Sequence, residues 1–358
     1  MAQVRDVVVI GGGQAGLAAG YFLRRAGLDF VLLDAAAGPG GAWRHMWPSL
    51  RLFSPAEHSP LPGWPMPRQT GAEYPTVDHV VNYLTRYEQR YALPVHRPVR
   101  VTGVHDGGEY LAVHTDRGTW QARVVISATG TWQAPYVPSD PGQEEFTGRL
   151  LHTASYRGPE QFRGQRVVVV GGGNSAAQIL AEVSTVAETT WVTRRPPRFM
   201  PDDVDGRVLF DVATRRHRAR QSGSDDTDGV ADLGDIVLVP SVLDARRRGV
   251  LRAEPMFDCL TRNGVTWSDG TEHAAEAVIW CTGFRPGLQH LRTLGLRRQG
   301  GIIPTDGTRA IEQPRLHLLG YGDWTGPASA TLIGAGRTAK AAVSDIAEWL
   351  AARGETAA

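Results

Sequence analysis

The chain has 358 residues, 42% of them hydrophobic, which is enough for two ordinary domains whose apolar cores need no staples. Its 38 basic and 37 acidic residues leave a net charge of +1, so nothing in the overall electrostatics calls for nucleic acid, and no apolar run approaches the roughly 20 residues of a membrane span. Cys259 and Cys281 are too far apart in sequence for a CxxC redox pair or a metal knuckle, so no metal site is expected and the compartment reads as reduced and cytoplasmic.

The first strand is expected by about residue 5, which leaves no room for a signal peptide. Val7, Val8, Val9 and Ile10 read as a buried parallel strand, and Gly11, Gly13 and Gly16 behind it have the GxGxxG spacing of a dinucleotide loop. There Gly11 allows a sharp turn, Gly13 lets backbone approach a pyrophosphate, and Gly16 lets the next helix pack close to the strand. That helix begins at Gln14 and Ala15, where unpaired N–H groups favour phosphate. A second strand, Phe30 to Leu33, ends in Asp34, about 20 residues on, where such a site wants a carboxylate for a ribose diol. At this point the ligand is FAD or NAD.

After Asp34 the chain runs through AAAGPGGAWRHMW into Ser54 to Pro67, whose five prolines exclude helix and central strand. Trp43, Trp47, Phe53 and Trp64 gather in this stretch; they either anchor a long loop or wall a flavin ring against water. Val77 to Tyr91 has the period of an amphipathic helix. Arg97 to Val104, Tyr110 to Thr115 and Trp120 to Ile126 read as a three-stranded β-meander inserted in the first domain. Its last strand meets Ala128, Thr129 and Gly130, small enough for backbone to come close to a cofactor.

Arg166 to Ala176 repeats the opening element: Val167 to Val170 form the strand, and Gly171, Gly173 and Ala176 hold the fingerprint positions, with Asn174 and Ser175 opening the helix. Two copies in one chain mean two Rossmann-like domains and two dinucleotides. The second strand of the second copy, Thr190 to Thr193, ends in Arg194 and Arg195 in place of Asp34. A carboxylate repels a 2′-phosphate and guanidinium groups pair with it, so the first loop suits FAD and the second NADPH, with NADH tolerated. All but one of the basic residues, Lys340, are arginine, and the runs Arg24–Arg25, Arg215–Arg216 and Arg246 to Arg248 read as solvated helix faces.

Further on, Asp203 to Arg220 reads as helix, 221–235 as a mobile loop and Ile236 to Arg247 as helix. The strand Ala277 to Trp280 meets Cys281, Thr282 and Gly283, a return patterned like Ala128 to Gly130. Leu316 to Leu319 is the last strand, and Asp323 stands before a long helix from about Ala328 to Ala352, ready either to accept from a ribityl chain or to charge the helix start. The fold class is α/β, with an FAD domain of residues 1–147 and 282–358 and a nicotinamide domain of 148–281.

FTGRLLHTASY, Phe146 to Tyr156, resembles the FxGxxxHxxxY/F motif of the class B flavin-containing monooxygenases, with Phe146, Gly148, His152 and Tyr156 in place. The likeness spans nearly the whole chain and is nearest to small bacterial members that accept either nicotinamide. It implies FAD at Gly11, Gly13, Gln14, Ala15, Gly16, Asp34, Gly41, Ala42, Trp43, Val101, Ala128, Thr129, Gly130 and Asp323. It also implies NAD(P)H at Gly171, Gly173, Asn174, Ser175, Ala176, Thr193, Arg194, Arg195, Cys281, Thr282 and Gly283. His152 is then a structural clasp at the domain junction, an isolated histidine being more often structural than catalytic.

The same resemblance implies that reduced flavin adds O2 at C4a and passes the distal oxygen to a soft nucleophile such as a sulfide or amine, with some ketones also attacked. The place of the family's active-site asparagine falls at Phe53, which excludes water but donates no hydrogen bond. Baeyer–Villiger members usually end the motif in tryptophan, so Tyr156 favours heteroatom oxygenation. The implied partners are a small organic substrate and O2, with a homodimer left open. A thioredoxin-reductase-type enzyme is excluded for want of a CxxC, and an NAD(P)H reductase feeding electrons to another acceptor stays open because it needs no further catalytic residue.

Overall fold

The computed structural model describes residues 3–201 and 236–354. These gather into two units, one made of 1–44, 55–134 and 285–358, the other of 45–54 and 135–284. The crossings thus fall at 134/135 and 284/285, against 147/148 and 281/282 from the sequence, and 45–54 joins the second unit. Trp47 carries that short piece: its ring is buried in the second unit's core, edge-on to Tyr156 at 5.7 Å, and its Nε1 donates to Glu182 at 3.2 Å.

The first unit opens with strands Val4–Ile10 (β1), Phe30–Leu33 (β2) and Val95–His96 (β3), all parallel, with helix Gln14–Arg25 (α1) between the first two and Val77–Arg90 (α2) before the third. Val7 to Ile10 are almost wholly buried, as a strand covered on both faces must be. Val101–Asp106 (β4), Leu111–Thr115 (β5) and Gly118–Ser127 (β6) form an antiparallel meander, and β6 then continues beside β1 as a parallel strand of the same sheet. The meander starts at Val101 and not at Arg97, because Pro98 has no N–H to pair and the Arg97 side chain is held elsewhere.

The second unit has Arg149–His152 (β7), Arg166–Val170 (β8), Glu188–Thr193 (β9), Ala253–Pro255 (β10) and, later in the chain, Ala277–Trp280 in a parallel sheet. Helix Asn174–Val183 (α3) follows β8 and helix Pro240–Arg247 (α4) precedes β10. Cys259–Thr261 (β11), Gly264–Thr266 (β12) and Glu272–Ala274 (β13) make a small antiparallel sheet before Ala277–Trp280 (β14). The helix expected from Ile236 starts only at Pro240. Ile236 to Val239 are buried and stay outside the helix, since a residue before proline avoids the helical region: Val239 has φ −62°, ψ 158°. The expected helix 203–220 and loop 221–235 lie outside the described residues.

The chain returns to the first unit through Thr305–Asp306 (β15), Arg309–Ala310 (β16) and Leu316–Leu318 (β17), the last parallel to β6, and ends in helix Leu332–Ala351 (α5). This helix starts four residues later than expected, because Ala328 takes a left-handed φ of 57° and Thr331 caps, accepting from Gly334 N. Among the described residues no helix is long and apolar enough to cross a membrane, and no group of acidic, histidine or cysteine side chains is arranged to hold a metal. Arg24, Arg25 and Arg246 to Arg248 are exposed, on helix ends.

Two buried histidines tie this unit to pH. His290 meets Ser127 Oγ at 2.9 Å, and burial, with Arg298 nearby, lowers its pKa to about 4. His317 meets Thr308 Oγ1 at 3.0 Å and is lowered by burial and Arg309 to about 3; Asp345 lies 3.7 Å away, but Arg309 approaches the same carboxylate at 3.4 Å and offsets its charge. Both rings are neutral when folded and take up protons on unfolding below about pH 6.5, so stability is lost as pH falls through that value toward 4 and 3. Lowering the pH from 7.5 to 5 is expected to weaken this unit by about 4 kcal/mol, near 1.4 per histidine per pH unit below 6.5. Thermal midpoints of the ligand-free protein measured across that range check this, and a flat profile contradicts it.

Candidate functional site

Each unit carries one strand–glycine loop–helix element, and the two share their geometry. Gly11 has φ 110° and a Cβ there would run into the Ala128 carbonyl; Gly171 has φ 138° and a Cβ there would run into the Cys281 carbonyl. In both, the loop crosses the end of the neighbouring parallel strand so closely that only glycine fits. The strand ends match too: Gly130 and Gly283, closing Ala128-Thr129-Gly130 and Cys281-Thr282-Gly283, take left-handed φ of 64° and 79°.

Gly13 and Gly173 cap their helices with extended backbone, no capping side chain and no acidic residue in the first turn. The first intrahelical bonds are Leu17 N to Gly13 O (2.9 Å) and Ala177 N to Gly173 O (3.2 Å), so the first-turn N–H groups of α1 and α3 make no intrahelical bond. A Cβ on Gly173 would meet nothing within 4 Å, and one on Gly13 only Gly41 Cα at 3.8 Å. Open space over an uncapped helix start is what a diphosphate needs, so both loops fit a dinucleotide.

Around the first loop the structure brings together most of the residues singled out by sequence. Trp43 Nε1 donates to Gln14 Oε1 at 2.9 Å, and Gln14 Nε2 donates to Ala330 O at 2.5 Å, linking the 310 turn Gly41–His45, with Ala42, to the start of α1. Ala15 faces Gly320. Thr129 Oγ1 donates to Gly287 O at 2.8 Å and meets Tyr321 OH at 2.7 Å; Tyr321 OH also meets Ser127 Oγ at 2.6 Å. Asp323 Oδ1 accepts from Ala328 N at 3.2 Å, a local turn contact. Val101 begins β4 and packs against the apolar core of this unit. Asp34 is buried and ion-paired with Arg97, a residue that the sequence reading passed over.

Two of the four aromatics are anchors. Trp47 belongs to the second unit's core, and Trp64 lies 5.1 Å from the Tyr83 ring beneath Arg86 and Arg90. Phe53 is half-buried against the same core as Trp47.

In the second unit Thr193 lies beside Gly172, and Arg194 and Arg195 follow it exposed at the end of β9. Asn174 Oδ1 accepts from Val237 N at 2.9 Å, Ser175 is half-buried and Ala176 fully buried. Thr282 Oγ1 donates to Tyr136 O. Burial pushes the Cys281 thiol up to about 12, so it stays protonated, and both cysteines are free.

The 146–156 motif now has a physical reading. The Phe146 ring occupies the space where a Cβ on Gly148 would be. His152 Nδ1 accepts from Ala154 N at 3.1 Å, so Nε2 carries the proton and donates to Gly283 O at 3.0 Å. With both nitrogens spent and burial lowering its pKa, the ring is a neutral strut under the Cys281–Gly283 turn. Tyr156 is fully buried, stacks on Phe162 and donates to Glu182 Oε2 at 2.9 Å; Glu182 Oε1 takes Trp47 and Ser49. Nothing in the sequence marked Glu182, an ordinary helix glutamate by position.

Replacing His152 by alanine is expected to cost about 2–3 kcal/mol through two lost buried hydrogen bonds. Thermal unfolding of the variant against wild type checks this, and an unchanged midpoint contradicts it.

A family profile described as pyridine nucleotide-disulphide oxidoreductase matches residues 8–227. A solved flavin-containing monooxygenase from Stenotrophomonas maltophilia is 55% identical, with a TM-score of 0.89 and 97% of this chain and 99% of that chain covered. A CzcO-like oxidoreductase of Geobacillus kaustophilus is 29% identical over 97% of this chain and 99% of its own, and indole-3-pyruvate monooxygenase YUCCA1 of Oryza sativa subsp. japonica 26% identical over 87% and 83%.

Proposed function

This chain belongs to the pyridine nucleotide-disulphide oxidoreductase family as a flavin-containing monooxygenase, using a flavin and a nicotinamide cofactor, and from that premise we propose that it takes NADPH in preference to NADH to oxygenate sulfides and amines, ketones being turned over more slowly. The observation that carries the cofactor assignment is the contrast between the two loops: the buried carboxylate of Asp34 follows the first, and the exposed guanidinium groups of Arg194 and Arg195 follow the second. Tyr156 at the end of the 146–156 motif supports heteroatom over ketone chemistry.

In this reading Gly11, Gly13, Gln14, Ala15 and Gly16 hold the FAD diphosphate and Asp34 its adenosine ribose. Gly41, Ala42, Trp43, Val101, Ala128, Thr129, Gly130 and Asp323 surround the remainder. Gly171, Gly173, Asn174, Ser175 and Ala176 receive the nicotinamide diphosphate, with Thr193, Arg194, Arg195, Cys281, Thr282 and Gly283 around it. The unit of 1–44, 55–134 and 285–358 is then the FAD domain and that of 45–54 and 135–284 the NAD(P)H domain. Bound FAD, once reduced by hydride, supplies the means to split O2 so that one oxygen atom goes to substrate and the other leaves as water. The chain's own task is to bind, align and exclude water, and no side chain has to act as a general base. Phe53 is assigned to the wall of the reaction site, where it shields without donating a hydrogen bond.

Steady-state oxidation of NADPH and NADH with an aryl methyl sulfide, quantifying sulfoxide and hydrogen peroxide separately, tests this. Sulfoxide formed at the expense of NADPH is expected, with a sizeable peroxide fraction because Phe53 gives no hydrogen bond. Nicotinamide oxidation that yields peroxide alone, or that requires an added electron acceptor, would mean a reductase.

A further inference from the structure

Three side chains behind the first glycine loop form a closed ionic clamp. Arg97, set just beyond β3, donates from Nε to Asp34 Oδ2 at 2.6 Å and from Nη1 to both oxygens of Glu88, on α2, at 2.7 and 2.8 Å. Its Nη2 points to Gly12 O at 3.4 Å, so the same guanidinium reaches the nucleotide loop itself. The side chains of Arg97, Asp34 and Glu88 are only 10%, 11% and 19% exposed, which removes much of the solvent screening that weakens surface pairs.

Gly12 is the middle glycine of the opening GGG and has no part in the GxGxxG spacing. A Cβ there would lie 2.7 Å from Arg97 Nη2 and 2.7 Å from Asp34 Oδ2, so the residue is small to admit the clamp. At the matching Gly172 the nearest atoms, those of Thr193, are 3.8 Å away, so among the described residues nothing presses on that glycine as the clamp presses on Gly12.

We propose that Arg97 is a positioning residue for the adenosine half of FAD, presenting Asp34 to the ribose as a two-point acceptor. The inference rests on the reading that the first loop holds FAD. An ionised carboxylate offers about four acceptor positions, two on each oxygen. Arg97 occupies one on Oδ2, and Ala36 N, at 3.3 Å, one on Oδ1. One position remains on each oxygen, matching the two hydroxyls of a vicinal diol. Glu88 completes the device: with two carboxylates around one guanidinium the clamp keeps a net charge of −1, so Asp34 is oriented without its repulsion of a 2′-phosphate being cancelled.

FMN separates this role from general support of the fold, because it shares the flavin and one phosphate with FAD but has no adenosine. Dissociation constants for FAD and for FMN are to be measured by flavin fluorescence on flavin-free wild type, Arg97→Gln, Arg97→Lys and Gly12→Ala. The expected result is an FAD constant raised tenfold or more in Arg97→Gln and Gly12→Ala and less in Arg97→Lys, with FMN changed less than twofold. Should Arg97→Gln fail to fold, Arg97→Lys carries the comparison. Equal weakening of FAD and FMN, or unchanged FAD, overturns the positioning role. Wild type that binds FAD no more tightly than FMN overturns the ribose assignment at Asp34 itself, which is a distinct failure.

Discussion

Gly16→Ala is expected to yield a folded protein that has lost its FAD. A Cβ at position 16 would overlap the Gly11 carbonyl oxygen and come within 3.0 Å of the Gly11 carbonyl carbon. That obstacle is backbone in the turn after β1, so it has no rotamer to move into. The start of α1 must back away from the loop, and the first-turn N–H groups retreat with it from where a diphosphate would sit. Hydrogen bonds to charged groups are worth about 1.5–3 kcal/mol each, so losing two of them raises the FAD dissociation constant by about a hundredfold or more. The check is flavin absorbance per chain after purification, followed by titration of the flavin-free protein, with far-UV circular dichroism to show that the sheet persists. Ala176, fully buried at the corresponding place in the second loop, supplies the control. Ala176→Gly should cost only about 1 kcal/mol of helix stability and leave bound FAD unchanged. Wild-type flavin content in Gly16→Ala would mean that α1 and its loop tolerate a separation that their packing argues against.

The doubled strand–loop–helix element was legible because its signals are local: a run of β-branched residues, then glycines at fixed spacing whose need for positive φ or close approach is written in the residue type. The returns at Ala128–Gly130 and Cys281–Gly283 were legible for the same reason. The Arg97 clamp was not, since Arg97, Asp34 and Glu88 come from three separate elements and an arginine among 38 basic residues carries no signal of its own. Glu182 and Tyr321 escaped notice likewise; each matters through partners far away in the chain, Trp47 and Tyr156 for one, Ser127 and Thr129 for the other. Aromatic content left its two readings open for a different reason. Trp47 and Trp64 stood beside Trp43 in one irregular stretch, yet tertiary packing put Trp47 in the second unit's core and left Trp64 half-buried against Tyr83, a choice made by the surfaces they meet. At Ile236 helical periodicity lost to Pro240, whose steric demand on the preceding residue outweighs a pattern of apolar spacing.

Arg194→Ala is expected to remove most of the preference for NADPH. The Arg194 side chain is exposed at the end of β9, next to Thr193, which in turn packs beside Gly172 in the second loop. A guanidinium there can take a 2′-phosphate through two parallel charge-assisted hydrogen bonds, whereas NADH offers it only a hydroxyl. At about 1.5–3 kcal/mol for such contacts, kcat/KM for NADPH should fall roughly 10- to 100-fold while that for NADH moves by less than about threefold. Arg195→Ala should act in the same direction, and the double variant should favour neither cofactor. Asp140 is expected to limit the wild-type preference. Burial raises the pKa of its carboxyl while the Arg194 charge works against that rise, and its Oδ2 is buried with no hydrogen-bond partner. A carboxylate within electrostatic reach of Arg194 would oppose a second anion at the same place and so narrow the margin between NADPH and NADH. Asp140→Asn should therefore strengthen the NADPH preference a few-fold with little effect on NADH. Binding of 2′,5′-ADP against 5′-AMP, followed by calorimetry on the oxidised protein, reads the same contrast without turnover. If Arg194→Ala leaves both the kinetic ratio and the 2′,5′-ADP affinity unmoved, the 2′-phosphate is held elsewhere.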